Sequence, residues 1–223
     1  MTTIDHLRQG PSASDQTRST REVDEVAALD ELFDDAINVV VLHRRPEECV
    51  LAEARTGPVQ EPGFSLMLPV PASGAGWAEL AARLPGMPHL AAELRFWVEV
   101  LSELTGCDSV GVRLARLETA LCPRFHVDKV TVRLVCTLLG AGTEYLPTEG
   151  ANRRFLGHQA RAESDELSGL LRGGARVQRA TAGDIVLLKG EAWPGNQDRG
   201  AVHRSPSAST SDPRLVLTLD PLG

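Results

Sequence analysis

The first twenty residues are mostly Ser, Thr, Gln, Asp and Gly, with almost no apolar side chains. Burial cannot repay the entropy of ordering such a stretch, so the pattern predicts a mobile arm over 1–20. In REVDEVAALDELFDDA, the residues Val23, Val26, Ala27, Leu29, Leu32 and Phe33 then recur at helical spacing with the acids opposite. This predicts an amphipathic helix over 21–36. The unbroken apolar run INVVVLHR (37–44) reads as a buried strand, and Pro46, Glu47 and Glu48 suit the first turn of a second helix. Another apolar run at 63–70 predicts a strand, and 77–84 a short helix. A longer helix over 88–104 carries Leu90, Leu94, Trp97, Val98, Leu101 and Leu104 on one stripe, with Gly106 as its stop.

From Cys107 the pattern becomes one of short strands: 108–118, 123–129, 130–140, 142–146, 175–181, 184–190, 201–205 and 214–220. Many closely spaced strands predict a sandwich or barrel. One polar insertion, 148–174, interrupts them, with a short helix expected at SDELSGLL (164–171). The fold class read from this order is α+β, with three parts: the arm 1–20, α/β elements over 21–106 packing on the core, and a strand-rich core over 107–223.

Composition narrows the function classes. Net charge is −7 and the basic residues are scattered, which argues against nucleic acid as a partner. No stretch reaches the roughly 18 apolar residues of a spanning helix, and the first residues lack a signal-peptide pattern, so no membrane is expected and the cytoplasm is the default location. Cys49, Cys107, Cys122 and Cys136 form no CxxC pair, which suits free thiols in a reducing compartment.

Candidate chemistry lies in the strand-rich half. Residues i and i+2 of a strand share a face, so His126 and Asp128 can reach one ion while Val127 points away. His203, on a later strand, is the candidate third ligand of a two-histidine, one-carboxylate site that leaves positions open for a co-substrate and oxygen. Arg214, Val216 and Thr218 share one face of the last strand and Leu215, Leu217 and Leu219 the other. An inward arginine needs an anion, and its planar fork matches a carboxylate.

Together these residues resemble the iron(II)- and 2-oxoglutarate-dependent dioxygenases: an H-x-D, a distal His, and an Arg or Lys about ten residues later. The match covers 107–223. The resemblance implies a double-stranded β-helix (jelly-roll, cupin-like) core, Fe(II) on His126, Asp128 and His203, and 2-oxoglutarate on Arg214. Tyr145, the chain's one tyrosine, stands where relatives often place a hydroxyl on the co-substrate. Val216 departs from the Ser or Thr that many members carry two residues after the arginine. FHVDKVTVRLVCTLLGAGTEYL, GDIVLLKGEAWPG and VHRSP also resemble an uncharacterised bacterial family of unknown function, whose genes often lie near zinc-responsive ones.

The leading expectation is therefore an oxygenase acting on a small molecule or peptide. Its alternative is a noncatalytic zinc- or divalent-metal-binding protein of metal homeostasis, for which a thiolate from Cys122 or Cys136 would favour zinc, although buried structural thiols fit the residue type better. A third reading is a cupin-like isomerase or small-molecule binder. Residues 193–196 (Trp-Pro-Gly-Asn) are expected as a loop at the site mouth or a packed turn. Asp184 is expected in a turn or cap, Lys129 and Arg133 at the solvent with the steering of an acidic substrate as their alternative role, and His43, His89 and His158 outside the site.

Overall fold

The computed structural model describes residues 20–156 and 164–223. The arm expected over 1–20 thus lies outside the described residues apart from Thr20, and so does His158.

Among the described residues ten strands form two sheets. The large sheet takes β1 (Thr20–Val23), β2 (Val39–Leu42), β3 (Ser65–Pro71), β4 (Ser109–Leu117), β5 (Val132–Leu139), β8 (Ile185–Lys189) and β10 (Arg214–Leu222), in the order β1-β2-β8-β5-β10-β4-β3. The small sheet holds β6 (Glu144–Leu146) between β7 (Gln178–Arg179) and β9 (Val202–Arg204). Strands from the first half of the sequence are hydrogen-bonded into the same sheet as those of the second. All pairings are antiparallel except β1 with β2.

Three helices, α1 (Glu48–Thr56), α2 (Trp77–Ala82) and α3 (Pro88–Thr105), cover one face of the large sheet. The stripe Leu90, Leu94, Trp97, Val98 and Leu101 is buried there with Leu215, Leu217 and Leu219. Gly106 ends α3 at φ 67°, the left-handed conformation that favours glycine. Against the opposite face lies the small sheet, and Val39, Val41, Val135, Val186 and Val216 pack there with Tyr145 and Ala180. The central strands are buried on both faces, which explains why 37–44 and 184–190 read as unbroken apolar runs. Among the described residues no helix is long and apolar enough to cross a membrane.

Three expected elements differ. The helix expected over 21–36 is instead β1, paired with β2 from Thr20↔Val39 to Val23↔Leu42, followed by a 3-10 helix at Val26–Phe33. Its buried residues, Leu29 and Leu32, are three apart, the 3-10 repeat, whereas Phe33 is left exposed. Residues 123–129 form no strand; only His126 makes a bridge, to His203. The helix expected at 164–171 is a set of turns. There Ser168 bonds the Asp165 carbonyl and the Leu170 amide, and Gly169 sits at φ 81°. Side-chain bonds to the local backbone of this kind compete with helix formation.

Candidate metal centre

Although 123–129 is not a strand, one reciprocal backbone pair does the work of a ladder. The His126 amide donates to the His203 carbonyl at 3.0 Å and the His203 amide to the His126 carbonyl at 3.1 Å. This sets the two imidazoles side by side, their centroids 4.5 Å apart. Asp128 reaches the same point: its Oδ1 lies 3.5 Å from His126 Nε2 and its Oδ2 3.3 Å from His203 Nε2. One ligand atom from each of the three falls within 4.8 Å of the others. Behind them, Gly190 follows β8 so closely that a Cβ there would stand 2.0 Å from the Val130 carbonyl oxygen and 2.8 Å from that of Asp128. Glycine is required for the chain to hold the Asp128 loop at this distance.

Each ring is oriented by a backbone carbonyl. His126 Nδ1 lies 3.0 Å from the Arg124 oxygen and His203 Nδ1 3.0 Å from the Ala201 oxygen. A carbonyl only accepts, so Nδ1 of each ring carries a proton and Nε2 is the nitrogen that faces Asp128: protonated, it donates to the carboxylate; deprotonated, it offers its lone pair to a metal, the arrangement found around metal-ligating histidines. Burial raises the Asp128 carboxyl, but bonds with His126 and His203 and the charges of His203 and Arg133 outweigh it and hold the acid well below the usual range. Burial lowers the His126 imidazole, yet the Asp128 contact and the Arg124 carbonyl leave it raised overall. Two oriented nitrogens and one ionised carboxylate, all from separate backbone anchors, suit a divalent ion of the kind bound by a facial triad.

Arg214 faces the same cavity, which is also lined by His126, Arg133, Val135, His203 and Val216. Its side chain is 1% exposed. Three neutral oxygens receive its protons: Ala141 O at 2.6 Å, Thr137 Oγ1 at 3.1 Å and Ser205 Oγ at 3.2 Å. Among the described residues no carboxylate pairs with it. Burial accordingly pushes the guanidinium down to about 10, against partial support from Glu144. Gly140 makes room for it, since at φ 89° a Cβ would stand 2.9 Å from Arg214 Cγ.

The sequence profile of the family described as "Protein of unknown function (DUF1826)" matches residues 23–220. The chain belongs to the DUF1826 family. In structure it is similar to the dioxygenase for auxin oxidation 1 of Arabidopsis thaliana in its 2-oxoglutarate binary complex, with a TM-score of 0.55 at 9% identity over 92% of each chain. It is also similar to the dioxygenase for auxin oxidation of rice, with a TM-score of 0.53 at 14% identity over 92% of this chain and 83% of that one. At such identities the likeness is one of fold. No curated protein matches in sequence.

In this DUF1826 chain two side chains, Tyr145 and Cys122, stand elsewhere than the sequence suggested. Tyr145 is opposite His203 in the β6–β9 register but packs among Val39, Val41 and Val135, and it does not line the cavity; burial raises its hydroxyl to about 12. Cys122 is exposed and does line it, whereas Cys136 is buried with its thiol pushed up to about 12 by burial. Trp193 packs on Phe33 and Lys189, and Asn196 bonds the Gly190 carbonyl, so the loop 193–196 is a packed turn away from the cavity mouth. Asp184 closes a turn onto the Thr181 amide as expected. His43 meets Asp184 and Glu22, and His89 meets Glu53, both outside the cavity.

Sequence reasoning missed two residues. Arg133, placed at the solvent by alternation, donates to Asp128 Oδ2 at 2.6 Å and makes a two-point pair with Asp220. Alternation failed because Asp128 lies in a loop and not in phase with β5. The second is Asp165 in the insertion, fully buried, which accepts from Arg124 Nε at 2.6 Å, the Phe125 amide at 2.8 Å and Arg204 Nη1 at 3.2 Å. Its only trace in the sequence is one acid among several in a polar segment.

Proposed function

We propose that this chain is an iron(II)- and 2-oxoglutarate-dependent oxygenase whose two facing sheets form a double-stranded β-helix. The observation that carries the reading is Arg214: a buried guanidinium with no carboxylate partner among the described residues, facing the cavity that the metal-site histidines His126 and His203 line. Leaving such a cation uncompensated is unfavourable, and a dicarboxylate bound between it and the metal would supply the missing charge. When bound, Fe(II) would activate dioxygen with electrons from 2-oxoglutarate and thereby permit oxidation of a substrate C–H bond. His126, Asp128 and His203 would hold the ion, Arg133 would fix the Asp128 carboxylate through its bond to Oδ2, and Arg214 would orient the co-substrate. Tyr145 would support the His203 strand by packing.

A zinc store would need the same triad but would leave Arg214 without purpose. Anaerobic addition of Fe(II) followed by 2-oxoglutarate tests the reading. A weak visible charge-transfer band that appears only with both is expected; its absence in metal-loaded protein would overturn the assignment.

A further inference from the structure

Four guanidinium groups line the cavity: Arg113, Arg133, Arg204 and Arg214. Two are neutralised by the protein itself. Arg133 is shared by Asp128 and Asp220, and Arg204 by Glu144, Asp165 and Glu166. Arg214 is the group assigned above to the co-substrate. That leaves Arg113, half-buried on β4, whose side chain makes neither a hydrogen bond nor an ion pair among the described residues.

Arg113 stands opposite Thr218 of β10 on one side and Met67 of β3 on the other. Thr218 is four residues from Arg214, which places the two backbone positions roughly 13 Å apart along the strand direction. A five-carbon diacid anchored on Arg214 and the metal leaves Arg113 free. Exposed apolar side chains stand on the same side of the sheet. On β3, Leu66, Leu68 and Val70 face the helices and are buried, while Met67, on the same face as Arg113, is 64% exposed; Leu121, which lines the cavity, is 53% exposed.

We infer that this shelf binds the substrate, that the substrate is an organic anion with an apolar body, and that Arg113 takes its anionic group. The inference rests on the oxygenase reading for what happens next to the bound molecule, but the binding itself does not require turnover. An apolar body over Met67 and Leu121 removes exposed hydrophobic surface, and the anion compensates a partly desolvated cation.

Octanoate serves as the probe, with octanol and octylammonium as its neutral and cationic counterparts. Titration is followed by calorimetry on protein loaded with Zn(II), which is redox-inert, and saturated with 2-oxoglutarate. Octanoate is expected to bind more tightly than either counterpart, and Arg113→Gln to weaken it by roughly tenfold or more while Arg113→Lys retains part of the affinity. Octanol or octylammonium binding as well as octanoate overturns the inference, as does an Arg113→Gln variant that holds octanoate like wild type. 2-Oxoglutarate affinity of the same variant is measured in parallel: an equal loss there would assign Arg113 to the co-substrate and overturn the substrate role. If wild type fails to bind 2-oxoglutarate at all, the oxygenase reading falls, and the octanoate comparison on the Zn(II) protein still decides whether Arg113 is an anion site.

Discussion

The carboxylate of Asp165 accepts the backbone amide of Phe125 at 2.8 Å, so a residue of the polar insertion is fixed to the position beside His126. The same carboxylate bonds Arg124, whose carbonyl orients the His126 ring, and Arg204, the neighbour of His203. Arg204 also lies over the Phe125 ring, 4.3 Å from its centroid. The insertion therefore ties together the two backbone segments that carry the histidines, and its contribution to the site is positional.

Replacement of Asp165 by Ala should weaken the metal centre without touching a ligand. Removing one partner of a buried charge cluster costs on the order of 3–5 kcal/mol of stability, and the loss of an orienting outer contact typically costs about 10- to 100-fold in metal affinity. Asp165→Asn keeps one acceptor for the Phe125 amide but loses the charge, and should fall between wild type and Asp165→Ala. Chelator competition with Zn(II), read beside thermal melting, checks this. Unchanged metal affinity in a destabilised Asp165→Ala variant would make the residue a stabilising contact only.

Arg214→Leu should leave metal affinity in place and remove 2-oxoglutarate binding. Loss of a desolvated charge pair costs about 2–5 kcal/mol, which is roughly 30- to 5,000-fold in affinity. Arg214→Lys should be intermediate, because the ammonium keeps the charge but not the two-point geometry. Calorimetric titration of the metal-loaded proteins separates the cases; equal 2-oxoglutarate binding by wild type and Arg214→Leu would remove the residue from the co-substrate site.

His126→Ala and Asp128→Ala should each abolish tight one-to-one divalent-ion binding and leave the fold largely intact, because both side chains project from a loop held by Gly190 and the β8 end and not from the apolar core. Circular dichroism and metal titration of the same samples check the two halves of the statement. Full metal binding in either variant would refute the ligand set.

Periodicity located the apolar strands because each has a face, or both, in a core. The α3 stripe and the alternation of β10, which sends Arg214 inward beside Val216, were legible for that reason. The 21–36 segment was not: its apolar spacing fits a helix locally, but an unpaired edge of β2 captures Thr20–Val23 as a strand, and such pairing partners are not visible within a local window. Arg133 and Asp165 escaped for a related reason. Each finds its partners across the fold, from a strand to a loop or from an insertion to two distant segments, and no fixed sequence spacing encodes such meetings.

The helical layer carries a pH-dependent contact that is independent of the metal centre. Glu53 of α1 caps the start of α3, where its carboxylate accepts the Leu90 amide at 2.7 Å and the His89 amide at 3.3 Å, with His89 Nδ1 at 2.7 Å. These amides are among the four that a helix leaves unsatisfied at its N-terminus. Desolvation raises the carboxyl, but the Leu90 and His89 bonds outweigh it, so its folded value lies below the ordinary 4.5. A depressed carboxylate contributes stability that is fully present above the unfolded value and is lost as pH falls through the folded one. Wild type should therefore exceed Glu53→Ala by about 0.5–2 kcal/mol near neutrality, as caps do, and the gap should narrow as pH drops below about 4.5. Urea unfolding of both proteins from pH 7 to pH 3 measures the gap. A gap that stays constant down to pH 3 would mean that the ionised carboxylate is not what stabilises this cap.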